Sequence, residues 1–168
     1  GEMTDITLTA KWEWEEVSII TPDGVITGHY GDSYTIPNNT WTKANETATV
    51  TFKYNDGETA DETREVVKSY TASWWTISWN YYADRAEITL TWDIELEARF
   101  IWTITPATFP SNPTRAHYEF KWWYKGDTKY ESYGEMTDIT LTAKWEWEEV
   151  TITTPDGVIT GHYGDSYT

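Results

Sequence analysis

Two segments of the chain have nearly the same sequence, and this repeat constrains the fold more than any other feature. Residues 1–35 return as residues 134–168, and the two copies differ only at Ser18 against Thr151 and at Ile20 against Thr153. Identity this high marks recent tandem copying, so we expect an array with a period of 133 residues. We also expect the sequence to stop within a unit of that array.

A weaker repeat lies within each period. Residues 138–145 match residues 93–100, and the same octet opens at residue 5. An aromatic pair, Trp74-Trp75 or Trp122-Trp123, precedes each complete octet. This pattern predicts four segments: the C-terminal strand of a preceding module at 1–16, a diverged β-rich module at 17–102, a second module at 103–149, and the start of the next copy at 150–168.

Hydrophobic alternation predicts the secondary structure. Apolar residues occupy every second position from Ile6 to Trp14, and Val50, Phe52 and Tyr54 do the same, which is typical of half-buried strands. Two turn sequences, Pro22-Asp23-Gly24 and Asn55-Asp56-Gly57, predict hairpins.

Helical signals are scarce. The one candidate segment runs from Asp61 to Ser69, and its Val66-Val67 pair disfavours a helix because β-branched side chains lose rotamer freedom there. Trp12, Trp14, Trp75, Trp123, Trp145 and Tyr118 are the predicted aromatic core. We therefore predict a mainly β chain of small tandem domains in a linear array.

The composition excludes several classes of function. Asp and Glu number 28 against 12 Lys and Arg, and this net charge of −16 makes nucleic acid a poor partner. No apolar run approaches the roughly 18 residues that a bilayer requires, so we expect no membrane insertion in this segment. The absence of cysteine excludes disulfides and thiolate metal sites. Twelve Trp and twelve Tyr argue against disorder, because aromatic side chains supply large buried areas.

A longer motif supplies a family resemblance. Arg115, Tyr118 and Phe120 precede Trp123-Tyr124, and a later strand ends with Leu141, Ala143, Lys144 and Trp145. In this arrangement residues 109–124 and 137–145 resemble the Listeria–Bacteroides repeat, the B-repeat family of bacterial surface proteins. The resemblance implies small domains of β-grasp-like or β-sandwich-like type, an extracellular or cell-surface location, and a stalk or adhesive role.

The chain departs from the family pattern at several aromatic positions. His117 and Trp122 stand where the family has Gly, and turn-forming residues are expected at three further positions, Trp74, Trp79 and Trp92. Trp92-Asp93 lies between two alternating strands, a place that favours positive φ. Two interpretations stay open: the extra aromatics make contacts between subunits, or these identities are engineered.

Two polar clusters contain residue types that are found in catalytic or metal-binding sites. His29, Asp32 and Ser33 are the residue types of a hydrolase triad, but neighbours along one strand or turn point apart. Asp56, Glu58, Asp61 and Glu62 supply oxygen ligands of the kind calcium prefers, in a spacing that matches no EF-hand loop. We therefore expect no catalytic, cofactor-binding or metal-binding residues, and we expect that the chain is not an enzyme.

The function predicted from these patterns is structural. We expect a tandem-repeat segment of a bacterial cell-surface protein or extracellular filament, whose partners are adjacent repeats and neighbouring chains. The alternative is an adhesin module that binds a carbohydrate or a host protein through exposed aromatics. The candidate interface or ligand-contact residues are Trp79, Trp92, Trp102 and Trp122.

Overall fold

The computed structural model describes residues 7–166, and within that range it contains strands and no helix. The prediction of a mainly β chain is confirmed. The strands are β1 (Glu16–Thr21), β2 (Gly24–His29), β3 (Ser33–Thr35), β4 (Glu46–Lys53), β5 (Glu62–Ile77), β6 (Asn80–Tyr82), β7 (Glu87–Thr89), β8 (Ile94–Glu95), β9 (Glu97–Thr105), β10 (Tyr118–Lys125), β11 (Thr128–Lys129), β12 (Ile139–Trp147), β13 (Glu149–Thr154) and β14 (Gly157–His162).

Local sequence explains several of these strands. Val50, Phe52 and Tyr54 are buried as the alternation predicts, whereas Lys53 between them is exposed. Both predicted hairpins form, because β1 pairs with β2 and β4 pairs with β5 in antiparallel registers. The helical candidate is strand instead: residues 62–69 belong to β5.

The chain divides into two compact units, and unit 1 comprises residues 1–43 and 70–101. Its sheet has the order β2-β1-β8, in which β1 and β8 run parallel. The pair β3–β7 and the hairpin formed by β6 with the end of β5 complete the unit. Its buried core consists of Val17, Ile19, Ile36, Trp75, Ile77, Leu90, Ile94 and Leu96.

Unit 2 comprises residues 44–69 and 102–168. Its strands have the order β11-β10-β12-β4-β5, with β12 parallel to β4 and antiparallel to β10. The hairpin β13–β14 follows as a separate pair. The buried core consists of Ala48, Val50, Phe52, Tyr54, Val66, Ala107, Trp123, Tyr133, Ile139, Leu141 and Ala143.

The units divide the chain differently from the boundaries expected from sequence. Residues 44–69 pack within unit 2, whereas the sequence pattern assigned them to a module at 17–102. The physical reason is the parallel pairing of β4 with β12, which joins Val50 to Ile139 across 89 positions of sequence. Hairpin signals report neighbours along the chain, and they contain no information about this distant parallel partner.

In the described residues 7–15, the strand predicted at the start of the chain does not form. Residues 1–6 of that prediction lie outside the described residues, and residues 7–15 are not in a strand. Trp12 and Trp14, predicted as core, are largely exposed. The same sequence forms β12 in the second copy because β10 and β4 flank it there, and the structure places no strand beside residues 7–14.

Candidate functional site

The motif that contains His29, Asp32 and Ser33 builds a turn. Asp32 Oδ2 accepts the backbone N–H of His29 at 3.0 Å and lies 3.4 Å from His29 Nδ1. Ser33 begins β3 and pairs with β7. The second copy repeats the arrangement, with Asp165 accepting the N–H of His162 at 2.7 Å. The carboxylate therefore caps the turn in both copies.

The loop between β4 and β5 is organised by Asp56. Its Oδ1 accepts the backbone N–H groups of Glu58 and Thr59 at 3.0 and 2.9 Å, and its Oδ2 accepts the Thr59 hydroxyl at 2.6 Å. The hydroxyl, followed by the two N–H groups, lowers the pKa of Asp56 to about 2. Both oxygens of the carboxylate thus accept hydrogen bonds from its own loop.

The other carboxylates of the predicted calcium cluster also have partners. Glu62 accepts the hydroxyl of Tyr54 at 2.7 Å, and Asp61 lies 3.6 Å from the Lys53 ammonium. Across residues 7–166, no group of three His, Cys, Asp or Glu side chains is arranged to hold a metal ion. The loop therefore has a structural explanation that needs no ion.

The four candidate contact aromatics lie on separate elements. Trp79 occupies the β5–β6 turn and is 88% exposed, Trp92 precedes β8 and is 61% exposed, and Trp102 lies in β9 and is 59% exposed. Trp122 in β10 is half-buried, and its indole N–H donates to the carbonyl of Tyr130. Three of the four are therefore surface residues, whereas Trp122 packs against the core of unit 2.

An exposed aromatic pair in unit 1 was not identified from sequence. Trp74 of β5 and Tyr81 of β6 meet edge to face, with ring centroids 5.6 Å apart. Together with Tyr82 and Ala83 they line a shallow groove that is almost entirely apolar. The signal was available: in the Trp74-Trp75 pair one ring must point outward, because successive strand residues face opposite sides.

The apolar residues of the family motif lie in the core of unit 2. Trp123, Leu141 and Ala143 are buried. Phe120 packs edge to face against Trp145, with centroids 5.5 Å apart. Their position on β10 and β12 gives them a packing role.

The polar and tyrosine members of the motif form two cation–π contacts. The Arg115 guanidinium lies 3.9 Å from the centre of the Tyr118 ring, and the Lys144 ammonium lies 4.4 Å from the centre of the Tyr124 ring. Lys144 also lies 3.1 Å from Asp127 Oδ1. Each of these contacts stabilises the β10–β12 pair modestly.

The repeated hairpin presents a different surface in each copy. β1–β2 and β13–β14 have the same register, with Ile19 opposite Ile26 and Ile152 opposite Ile159. Ile19 is 1% exposed in the core of unit 1, whereas Ile152 is 41% exposed. The difference concerns the first strand of the hairpin, because Ile26 and Ile159 on the second strand are exposed to a similar degree, 48% and 41%.

The described part of the chain holds no helix with the length and apolarity needed to cross a membrane. Comparisons of the chain with protein-family models, with curated proteins and with solved structures found no match.

Proposed function

We propose that this chain is a structural tandem-repeat segment of a bacterial cell-surface protein or extracellular filament, made of B-repeat-like β domains and without enzymatic activity. The observation that carries the proposal is the opposite burial of the two repeat copies. In the first copy Ile19 of the hairpin is 1% exposed, whereas Leu8 is 90% exposed. In the second copy the equivalent Ile152 is 41% exposed, whereas the equivalent Leu141 is fully buried.

Because of this opposite burial, the two halves of the 35-residue repeat have different structural roles. Its first half completes a unit as the last strand, as β12 does in unit 2. Its second half begins a unit as the first hairpin, as β1–β2 does in unit 1. A segment that ends one unit and starts the next joins consecutive units without a free linker, which is the design of a repeat protein whose units contact mainly their neighbours.

The charge of the chain supports the same proposal. One repeat copy holds 7 acidic and 1 basic residues, so each 133-residue period carries 21 acidic and 11 basic residues, a net charge of −10. This charge recurs with every period, and like charges keep such an array dispersed. The apolar hairpin face and the exposed Leu8, Trp12 and Trp14 are then surfaces that adjacent repeats cover.

The proposal is tested by unfolding chains of one, two and three periods. Units in an array gain stability from each interface, so the melting temperature is expected to rise as periods are added. The matched control carries Ile→Asp at the position of Ile19 and Ile152 in every copy, and its melting temperature should not rise. Equal melting of one and three unmodified periods would contradict the proposal.

The second candidate function is an adhesin, favoured by the groove that Trp74 and Tyr81 line. Flat aromatic faces around an apolar groove suit the apolar face of a sugar ring. A glycan array tests this with Trp74→Ala, and with Trp79→Ala and Trp92→Ala as further surface variants. A saturable signal that Trp74→Ala removes and Trp102→Ala preserves supports binding; no signal from the unmodified chain contradicts it.

A further inference from the structure

The hairpin β13–β14 carries an open groove on one face. Val150, Ile152, Ile159 and Gly161 contribute to its lining, and its volume is about 280 Å³. In the first copy the equivalent face belongs to the core of unit 1, where Val17 and Ile19 are buried. The structure therefore shows directly what kind of surface fits this hairpin.

Leu90 fills the equivalent groove in unit 1. A Cβ atom added at Gly28 would lie 2.5 Å from Leu90 Cδ1, so the leucine side chain sits directly on the glycine. A Cβ atom added at Gly161 would approach only Asp165, and it would lie 3.0 Å from the Oδ2 atom of that residue. The leucine seat, which is the space over this glycine, is thus filled by Leu90 in the first hairpin and is approached only by the Asp165 side chain in the second.

Backbone hydrogen bonds fix the segment from Leu90 to Leu96 onto the first hairpin. The N–H of Gly31 donates to the carbonyl of Leu90 at 2.7 Å, and the N–H of Leu90 donates to the carbonyl of Asp32 at 2.8 Å. Further along, the N–H of Leu96 donates to the carbonyl of Ile20 at 2.8 Å. β8 thereby adds to β1 as a parallel strand.

The second hairpin holds the same backbone groups in the same geometry. Gly164 and Asp165 follow β14 as Gly31 and Asp32 follow β2. The turn closes identically, because the N–H of Asp165 donates to the carbonyl of His162 at 3.0 Å, the same distance as in the first copy. The backbone of this turn is therefore already closed as in the first copy, which lowers the entropic cost of binding.

We propose that the groove on β13–β14 is a docking site for the segment from Leu90 to Leu96 in a second copy of residues 36–101, which the next repeat of the array would supply. Leu90 of that copy sits on Gly161, and its β8 pairs in parallel with β13, a form of strand addition. This inference rests on the proposed function and names the contact by which successive repeats join. In a copy whose own β1–β2 is in place the segment is already covered, so docking requires a copy that lacks its own hairpin.

The test supplies such a copy covalently. The full chain is continued after Thr168 by a second copy of residues 36–101, and Ile152→Cys introduces the only thiol, since the chain has no cysteine. We expect the rate of thiol labelling at position 152 to fall at least about tenfold on extension, to the rate of an Ile19→Cys variant. Val158→Cys is the matched control, because position 158 and its equivalent Val25 are both exposed, and its labelling should stay fast.

The Gly161→Ala substitution tests whether Leu90 of the second copy packs on Gly161. The added methyl group blocks the leucine seat, so in the extended chain it should restore fast labelling of Ile152→Cys. Unchanged labelling on extension would overturn the inference, and so would protection that Gly161→Ala leaves intact. If chains of three periods still gain stability while position 152 stays accessible, the docking inference fails and the structural function stands.

A second variant uses the unextended chain. Ile19→Asp places a charge in the core of unit 1, so we expect the first hairpin to detach from that core. The intact β13–β14 of another copy is then expected to take its place. Sedimentation should show a mass that at least doubles with rising concentration for Ile19→Asp, and a monomer for Ile19→Asp combined with Gly161→Ala. The same mass for both variants contradicts the proposed docking.

Discussion

Asp93 and Asp138 make the same hydrogen bond at equivalent places in the two units. Oδ1 of Asp93 accepts the backbone N–H of Ser18 at 2.7 Å, and Oδ1 of Asp138 accepts that of Thr49, also at 2.7 Å. In both units the strand after the aspartate then pairs in parallel with the strand that donates. The two units therefore share a local design, although their sequences have diverged.

Removing this aspartate should destabilise the unit that contains it. A hydrogen bond to a charged group contributes about 1.5–3 kcal/mol when protected, and partial exposure reduces this, so we expect Asp138→Ala to lower the free energy of unfolding by about 1–2 kcal/mol. Urea denaturation measures the change. Glu95→Ala, an exposed site two residues beyond Asp93, is the control and should change stability by less than about 0.5 kcal/mol. Equal effects of the two variants would contradict the capping role.

Two equivalent glycines should respond differently to the same substitution. Gly28→Ala places a methyl group against the buried Leu90, and such overpacking costs about 1–3 kcal/mol. Gly161→Ala meets only the exposed Asp165 carboxylate, so its cost should stay below about 0.5 kcal/mol in this chain. Denaturant unfolding of the two variants makes the comparison. Equal losses would mean that Leu90 does not sit on Gly28.

Trp79→Gly should stabilise unit 1. Ser78 and Trp79 form the two-residue β5–β6 turn with φ of 46° and 72°, the pair of positive values that a type I′ turn requires. A side chain in this conformation costs roughly 1–2 kcal/mol, and Trp79 is too exposed to offset that cost by burial. We expect a gain of about 1 kcal/mol in the free energy of unfolding. Trp79→Ala keeps the Cβ and should give no such gain; a gain from both would point to the loss of the indole ring instead.

Stability should fall at alkaline pH because of Tyr54. Burial, followed by the hydrogen bond to Glu62, raises the pKa of Tyr54 from 10.0 to about 12. Because the folded state favours the neutral phenol, this contribution is fully present below pH 10 and is lost as the pH rises from 10 to 12. The difference in unfolding free energy between the wild type and Tyr54→Phe should therefore be constant up to about pH 9 and shrink above pH 10. A difference that is constant to pH 12 would contradict the shift.

Features that depend on adjacent residues could be predicted from sequence. The alternation of Val50, Phe52 and Tyr54 identified a buried face, and the turn at Pro22-Asp23-Gly24 identified a hairpin. The aromatic core was identified in part, because Trp75 and Trp123 are almost fully buried. In each of these cases the determining contact lies on the same strand or hairpin.

Features that depend on distant partners could not be predicted in this way. Leu8 and Leu141 have identical surroundings in sequence, and only the strands beside Leu141 decide that it is buried. The expectation of positive φ at Trp92-Asp93 was wrong, since neither is among the described residues with positive φ. Asp93 instead caps Ser18, a contact across 75 positions that no local turn signal reports.

Two residues that stand where the family motif has glycine adopt a backbone conformation with positive φ. These residues, His117 and Trp122, have φ of 67° and 130°, values that favour glycine. At Trp122 the strand pairing of β10 with β12 also shifts, as in a β-bulge. The side chain at this position packs beside Phe120, with ring centroids 5.9 Å apart, which gives the aromatic residue a local packing partner.

The central claim is that each repeat segment completes one unit and begins the next. Electron microscopy of a chain of five periods tests it most directly. The account predicts unbroken rods whose length grows in equal steps with each period and stays well below the ~3.3 Å per residue of an extended chain. Separate compact particles at variable spacing, joined by flexible segments, would contradict it.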